Sequence, residues 1–135
     1  MNRLKLNFLG VLSFSFLTLY IPKMSADEMK HLGVGDTVPQ ETIQLETGER
    51  VSLLDHLGGE PAILIFYRGG WCPFCIKQLA QLNDITEELA AEGVQLIAIS
   101  TDLPEKLKAK EKLSNLDYEL ASDSTMELSQ AFGIV

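Results

Sequence analysis

Ala62-Ile63-Leu64-Ile65-Phe66-Tyr67 is a continuous apolar run of six, closed at once by Arg68-Gly69-Gly70. A run of that length without polar alternation marks a strand buried on both faces, as in the centre of a parallel sheet. The next segment narrows the choice further. Ile76, Leu79, Leu82, Ile85 and Leu89 recur at spacings of three and four, which predicts an amphipathic helix over residues 72–92. Gly93 stands where a helix C-cap belongs, and residues 94–100 form a second apolar run. Strand, helix, strand with both strands apolar throughout calls for a parallel α/β sheet joined by right-handed crossovers. In such sheets reactive groups collect beyond the carboxyl ends of the strands.

Trp71-Cys72-Pro73-Phe74-Cys75 lies at that place, between the strand end and the helix start. Proline lacks an amide hydrogen and has its φ already set for a helix, so Pro73 fits the first helical position. Cys72 then falls at the N-cap and Cys75 within the first turn. Unpaired backbone N–H groups and the positive end of the helix dipole favour a thiolate there over a thiol. The two intervening residues let both sulfurs face one another across a single turn. One thiolate can attack a disulfide or a peroxide, and its neighbour can resolve the product.

The remaining chain supports a small mixed domain. Residues 33–39 read as an irregular lead-in, and residues 41–45 and 50–53 as two strands joined through Gly48 in a hairpin. Residues 55–61 read as a loop. Asp102 with Glu105, and Ser124 with Glu127, have the capping-box spacing, predicting helices through about Leu113 and over the last residues. Residues 118–121 can form a short third strand. No internal repeat, low-complexity stretch or interdomain linker interrupts the sequence.

Composition removes several function classes. The net charge of −8 and pI near 4.7 disfavour nucleic acid as a partner, and the one lysine-rich stretch, Lys106 to Lys112, is diluted by Glu105 and Glu111. Two cysteines make neither a disulfide scaffold nor a four-cysteine zinc site, and His31 and His56 lack ligand-like spacing, so no metal is expected. Those histidines read as surface or loop residues, Phe66 and Tyr67 as core, and Trp71 as a packing residue beside the cysteines. Arg68 either stabilises a nearby thiolate or faces solvent.

The first residues stand apart from this domain. Arg3 and Lys5 precede sixteen uncharged residues, Leu6 to Ile21, the pattern of a secretory signal peptide. Cleavage is expected near Ser25-Ala26, leaving residues 27–135 as the domain; an uncleaved anchor is the alternative. The run falls short of the roughly 20 apolar residues that span a bilayer. Export would carry the cysteines into an oxidising compartment.

On these residues, the sequence from Thr37 to Val135 resembles the thioredoxin superfamily, and within it the alkyl hydroperoxide reductase/thiol-specific antioxidant branch, the peroxiredoxin-like proteins. The likeness is carried by Val34-Gly35-Asp36-Thr37-Val38-Pro39, by Thr47-Gly48-Glu49-Arg50-Val51-Ser52-Leu53 and by Phe66 through Cys75. Ile97-Ala98-Ile99-Ser100-Thr101-Asp102, Ala121-Ser122-Asp123 and Ala131-Phe132-Gly133-Ile134 add to it.

The resemblance implies a thioredoxin-like fold and a thiol-dependent antioxidant oxidoreductase without organic cofactor. The implied substrate is a peroxide or a protein disulfide, and the implied reductant a thioredoxin-like protein or a dithiol. Two family patterns overlap at the motif. The peroxiredoxin pattern puts Arg68 where that family has proline, Cys72 where it has threonine, and the peroxide-attacking thiol at Cys75. The thioredoxin pattern makes Cys72 the attacking thiol and Cys75 the resolving one. Catalysis is thus expected from Cys72 and Cys75, supported by Arg68, Trp71 and Pro73. The family's fold continues with a C-terminal hairpin and helix. Without them the sheet is expected to show an unpaired strand edge, and the sequence to be an incomplete form of the domain, with a catalytically silent one as the alternative.

Overall fold

The computed structural model describes residues 31–109 and 111–135, without the side chains of residues 111 and 112. The expected leader, residues 1–26, lies outside the described residues. Five strands form one sheet: β1 (Thr42–Leu45), β2 (Arg50–Ser52), β3 (Ala62–Phe66), β4 (Gln95–Ser100) and β5 (Glu119–Ser122), in the order β2-β1-β5-β4-β3. β3, β4 and β5 run parallel, while β1 is antiparallel to both β2 and β5. The expected hairpin is present, with Gly48 at φ +84° in its turn.

Alternation along β4 builds the two sides of the core. Leu96 and Ala98 join Leu79, Leu107, Leu113, Tyr118 and Leu120 on one face, under α2 (Pro73–Leu82), α3 (Thr86–Ala91) and α4 (Glu111–Ser114). Ile97 and Ile99 join Ile43, Leu53, Ala121 and Leu128 on the other, where α1 (Leu53–Leu57) and α5 (Glu127–Ala131) pack.

Five local expectations are corrected. Residues 53–57 are helical rather than loop, because the Ser52 hydroxyl accepts the Asp55 N–H and Gly58, at φ +61°, ends the turn. The helix expected over residues 72–92 is broken at Asn83–Ile85 into a 3₁₀ turn. There Asn83 is held from outside: its amide donates to Asp117 Oδ2 (2.9 Å) and its oxygen accepts the Asp117 N–H (2.7 Å). Asp102 caps no helix; Pro104–Lys106 is a 3₁₀ turn, and only α4 continues in helical form. Ser124 does not cap α5 either. That helix starts after Met126, at φ +60°, and the buried Asp123 carboxylate accepts the Leu128 and Ser129 N–H groups (3.2 and 2.8 Å) and the Ser129 hydroxyl (2.6 Å).

The fifth correction concerns β3. Among the described residues it pairs with β4 alone and forms the sheet edge, and Ile63 is 41% exposed. An apolar run specifies two covered faces only when neighbours exist to cover them. The unpaired edge expected from the sequence is therefore the outer side of β3. An apolar cavity of about 700 Å³, lined by Leu54, Leu57, Ala62, Leu64, Phe66 and Phe132 among others, lies beside it.

Asp123→Ala strips three donors of their acceptor at a buried site and is expected to cost about 2 kcal/mol. Urea unfolding checks this, with the midpoint falling and the slope unchanged.

Candidate active site

β3 ends at Phe66, and Tyr67 adds one further bond to the sheet, its N–H reaching Ile99 O (2.9 Å). The chain then turns. Gly69 adopts φ +138°, a conformation that side chains resist, and a Cβ there would lie 2.7 Å from Trp71 Nε1 and 2.9 Å from Asp102 Oδ1. The Cys72 N–H donates to Gly69 O (3.1 Å), closing the turn that delivers Cys72 to the helix. Cys72 is the N-cap of α2, extended at φ −88° and ψ 110°, and Pro73 opens the helix. Cys75 lies in its first turn, as the spacing predicts.

A carboxylate from the neighbouring strand end fixes this turn. Asp102 Oδ2 accepts the Gly70 N–H at 2.6 Å and the Ser100 hydroxyl at 3.3 Å. The backbone of Asp102 is held in turn, because the Ser122 hydroxyl donates to its carbonyl (2.6 Å). Asp102 is thus a positioning residue for the cysteine loop, although its spacing to Glu105 suggested a helix cap. The signal that could have found it is its place just past a strand adjacent to β3.

Both cysteines are free. Hydrogen bonding with the Cys75 thiol, then with the backbone N–H groups of Cys75 and Phe74, holds Cys72 below the ordinary thiol range; the Arg68 charge adds to this. Burial pushes Cys75 up, and so does its hydrogen bond with Cys72. Of the two sulfurs, Cys72 is therefore the one whose charged form the site favours. Access is divided the other way. Cys72 is only 7% exposed, whereas Cys75 is half-buried and lines a cleft of about 400 Å³ with Tyr67, Arg68, Gln78, Ser100 and Thr101.

Around the cysteines, Arg68 is exposed and stacks its guanidinium 4.7 Å from the Trp71 ring centroid. Trp71, expected as a packing residue beside the cysteines, is 61% exposed and stacks with Arg68 at the Gly69-Gly70 turn. Phe66 is half-buried and meets the Phe132 ring at 5.4 Å. Tyr67 lines the cleft with its hydroxyl buried, and that burial raises its pKa. The histidines are far from one another in role: His31 lines the apolar cavity, and His56 Nε2 meets Glu119 Oε2 at 2.7 Å. Among the described residues no group of three or more His, Cys, Asp or Glu side chains could hold a metal ion.

Comparison with known proteins places the chain in a family. The model of the AhpC/TSA family matches residues 34–135. Peroxiredoxin Bcp of Escherichia coli (strain K12) is 34% identical over 106 residues, covering 78% of this chain and 67% of that protein. The chloroplastic peroxiredoxin Q of Gentiana triflora is 33% identical over 100 residues, covering 74% and 46%. The crystal structure of peroxidoxin BcpB from Mycobacterium tuberculosis superposes with a TM-score of 0.69 at 30% identity, covering 76% of this chain and 67% of that one. The chain thus spans about two thirds of the length of the first of these relatives and less than half of the second.

Two outcomes are expected. Alkylation of Cys72 followed against pH should show a midpoint below the ordinary thiol value of about 8.5, and Cys75→Ala should move that midpoint upward, since the Cys75 thiol is the largest contributor to the shift. Asp102→Ala should cost about 1–3 kcal/mol in urea unfolding by leaving the Gly70 N–H without an acceptor, and Asp102→Asn, which keeps an acceptor oxygen, should recover most of it.

Proposed function

We propose, on the premise that this chain belongs to the AhpC/TSA family, that it reduces peroxides by cycling Cys72 and Cys75 between dithiol and disulfide. The observation that carries the reading is two hydrogen-bonded sulfurs at one helix start, one of them opening on a cleft. Peroxide enters that cleft and meets Cys75. A proton passes from Cys75 to Cys72, and the Cys75 thiolate attacks the terminal peroxide oxygen. The O–O bond breaks, Cys75 becomes a sulfenic acid, and the leaving alkoxide takes the proton from Cys72 as alcohol. The Cys72 thiolate then attacks the Cys75 sulfur, forming the disulfide and expelling hydroxide, which takes from solvent the proton that Cys72 had released on ionising and leaves as water. Two thiols and one peroxide give one disulfide, one alcohol and one water.

Arg68 favours the charged form of both sulfurs. Pro73 sets the helix start without needing a hydrogen-bond acceptor. A thioredoxin-like protein or a small dithiol restores the pair. The leader-like first residues support an extracytoplasmic setting for this cycle.

A second reading, exchange with protein disulfides, is favoured by the lowered Cys72 beside the raised Cys75, since a low-pKa thiol with a protonated neighbour suits disulfide exchange. Peroxide consumption with dithiothreitol separates the two. The first reading expects multiple turnovers that fall to the uncatalysed rate in Cys72→Ser and in Cys75→Ser, with a sulfenic acid trapped at Cys75 in Cys72→Ser. Insulin reduction without peroxide turnover would establish the second instead.

A further inference from the structure

The outer side of β3 carries a pattern that the cysteine chemistry does not use. In a parallel ladder each residue turns its N–H and C=O to the same side, and the side alternates along the strand. The Pro61 carbonyl accepts the Gln95 N–H and the Tyr67 N–H donates to Ile99 O, both at 2.9 Å, so residues 61, 63, 65 and 67 face β4. The backbone groups of Ala62, Leu64 and Phe66 therefore point away from the sheet, and among the described residues no strand lies there. Natural edge strands are blunted by a charge, a bulge or a proline whose missing N–H falls on the open side. β3 has none of these. No charge occurs from Pro61 to Tyr67, the register with β4 runs without interruption, and Pro61 has the parity that faces β4.

We propose that β3 pairs antiparallel with β3 of a second copy of this chain, about a two-fold axis at Leu64, joining the two five-stranded sheets into one. Leu64 is the middle of the three outward residues, and an axis there engages all of them. Ala62 meets Phe66 of the second copy, Leu64 meets its own counterpart, and every outward N–H finds a carbonyl. The side chains fit the same register. Ala62, Leu64 and Phe66 line the apolar cavity beside the strand, so small lies opposite large on that face, while Ile63 lies opposite Ile65 on the other.

Charge selects this occupant. Glu60 stands four residues before Leu64 and Arg68 four residues after it, and both are exposed. The two-fold axis therefore sets each of them toward its opposite in the second copy. Two chains of charge −8 repel one another over most of their surfaces. Here an uncharged strip is closed at each end by a pair of opposite sign. A slip of two residues either way breaks both charge pairs and leaves part of the ladder open.

Sedimentation equilibrium of the full chain over a dilution series tests the pairing, and a monomer–dimer equilibrium is expected. Glu60→Arg and Arg68→Glu each place like charges at both ends of the strip. Each should weaken dimerisation about tenfold or more, and the double variant should return to within about threefold of the parent chain. Ile63→Lys, at a side chain already 41% exposed, should give only monomer with an unchanged circular dichroism spectrum. Amide exchange reads the ladder itself. The N–H groups of Ala62, Leu64 and Phe66 should exchange about tenfold or more slowly in the concentrated dimer than in the dilute monomer. A chain monomeric throughout the series, single swaps without effect, or a double variant no better than the singles would each overturn the proposal. So would dimers whose three amides exchange at the monomer rate, or a monomer in which those amides are already protected, since the chain would then cover its own edge.

Discussion

The 2.6 Å bond from the Gly70 N–H to the Asp102 carboxylate is the contact on which the cysteine site depends. Gly70 lies in the turn between β3 and α2, and Asp102 just past the end of β4. Parallel pairing of those strands, with Phe66 opposite Ile99, brings the two turns side by side. The carboxylate then fixes the turn that places Cys72 at the N-cap. Ser122, at the end of β5, holds the Asp102 carbonyl, so three adjacent parallel strands brace one loop. Strand register, set by apolar alternation far from any cysteine, becomes the position of a sulfur.

The electrostatics depend on that placement. The helix start supplies N–H groups to the Cys72 sulfur, whereas burial opposes charge on Cys75. The result is an unequal pair in which charge and access fall on different atoms. A single cysteine would need both at once. In the peroxide cycle proposed above, two cysteines with a proton between them divide the work, since the proton can move to whichever sulfur is not reacting.

Much of this was legible in the sequence. The apolar run of β3, the spacing in α2, Pro73 at the first helical position and both cysteines sit where their patterns put them, because each pattern is local. The features that escaped were non-local. Asp102 read as the cap of a helix and Asp123 as a spacer beside another capping box, but a carboxylate serves whichever N–H group the fold brings near, and here those belonged to Gly70 and to α5. Asn83 ended a helix that its own periodicity continued, since Asp117 holds it from the turn that leads into β5. The apolar run of β3 by itself carried no sign of being an edge, because hydrophobicity records a preference for burial and not the number of neighbours; the unpaired edge was implied by the family resemblance alone. Ser52 was the exception: its spacing to Asp55 is a local cap signal, masked by the Gly58-Gly59 pair downstream.

Gly69 gives the site an inverted tolerance to change. Trp71 is large, outward and in contact with little besides Arg68, whereas the residue that aims it contributes no side chain at all. The indole and the Asp102 carboxylate converge on the space that a Cβ would fill, so a single methyl group there displaces both the outward aromatic and the brace of the loop. The most conspicuous residue of the surface is held in place by an atom that is missing.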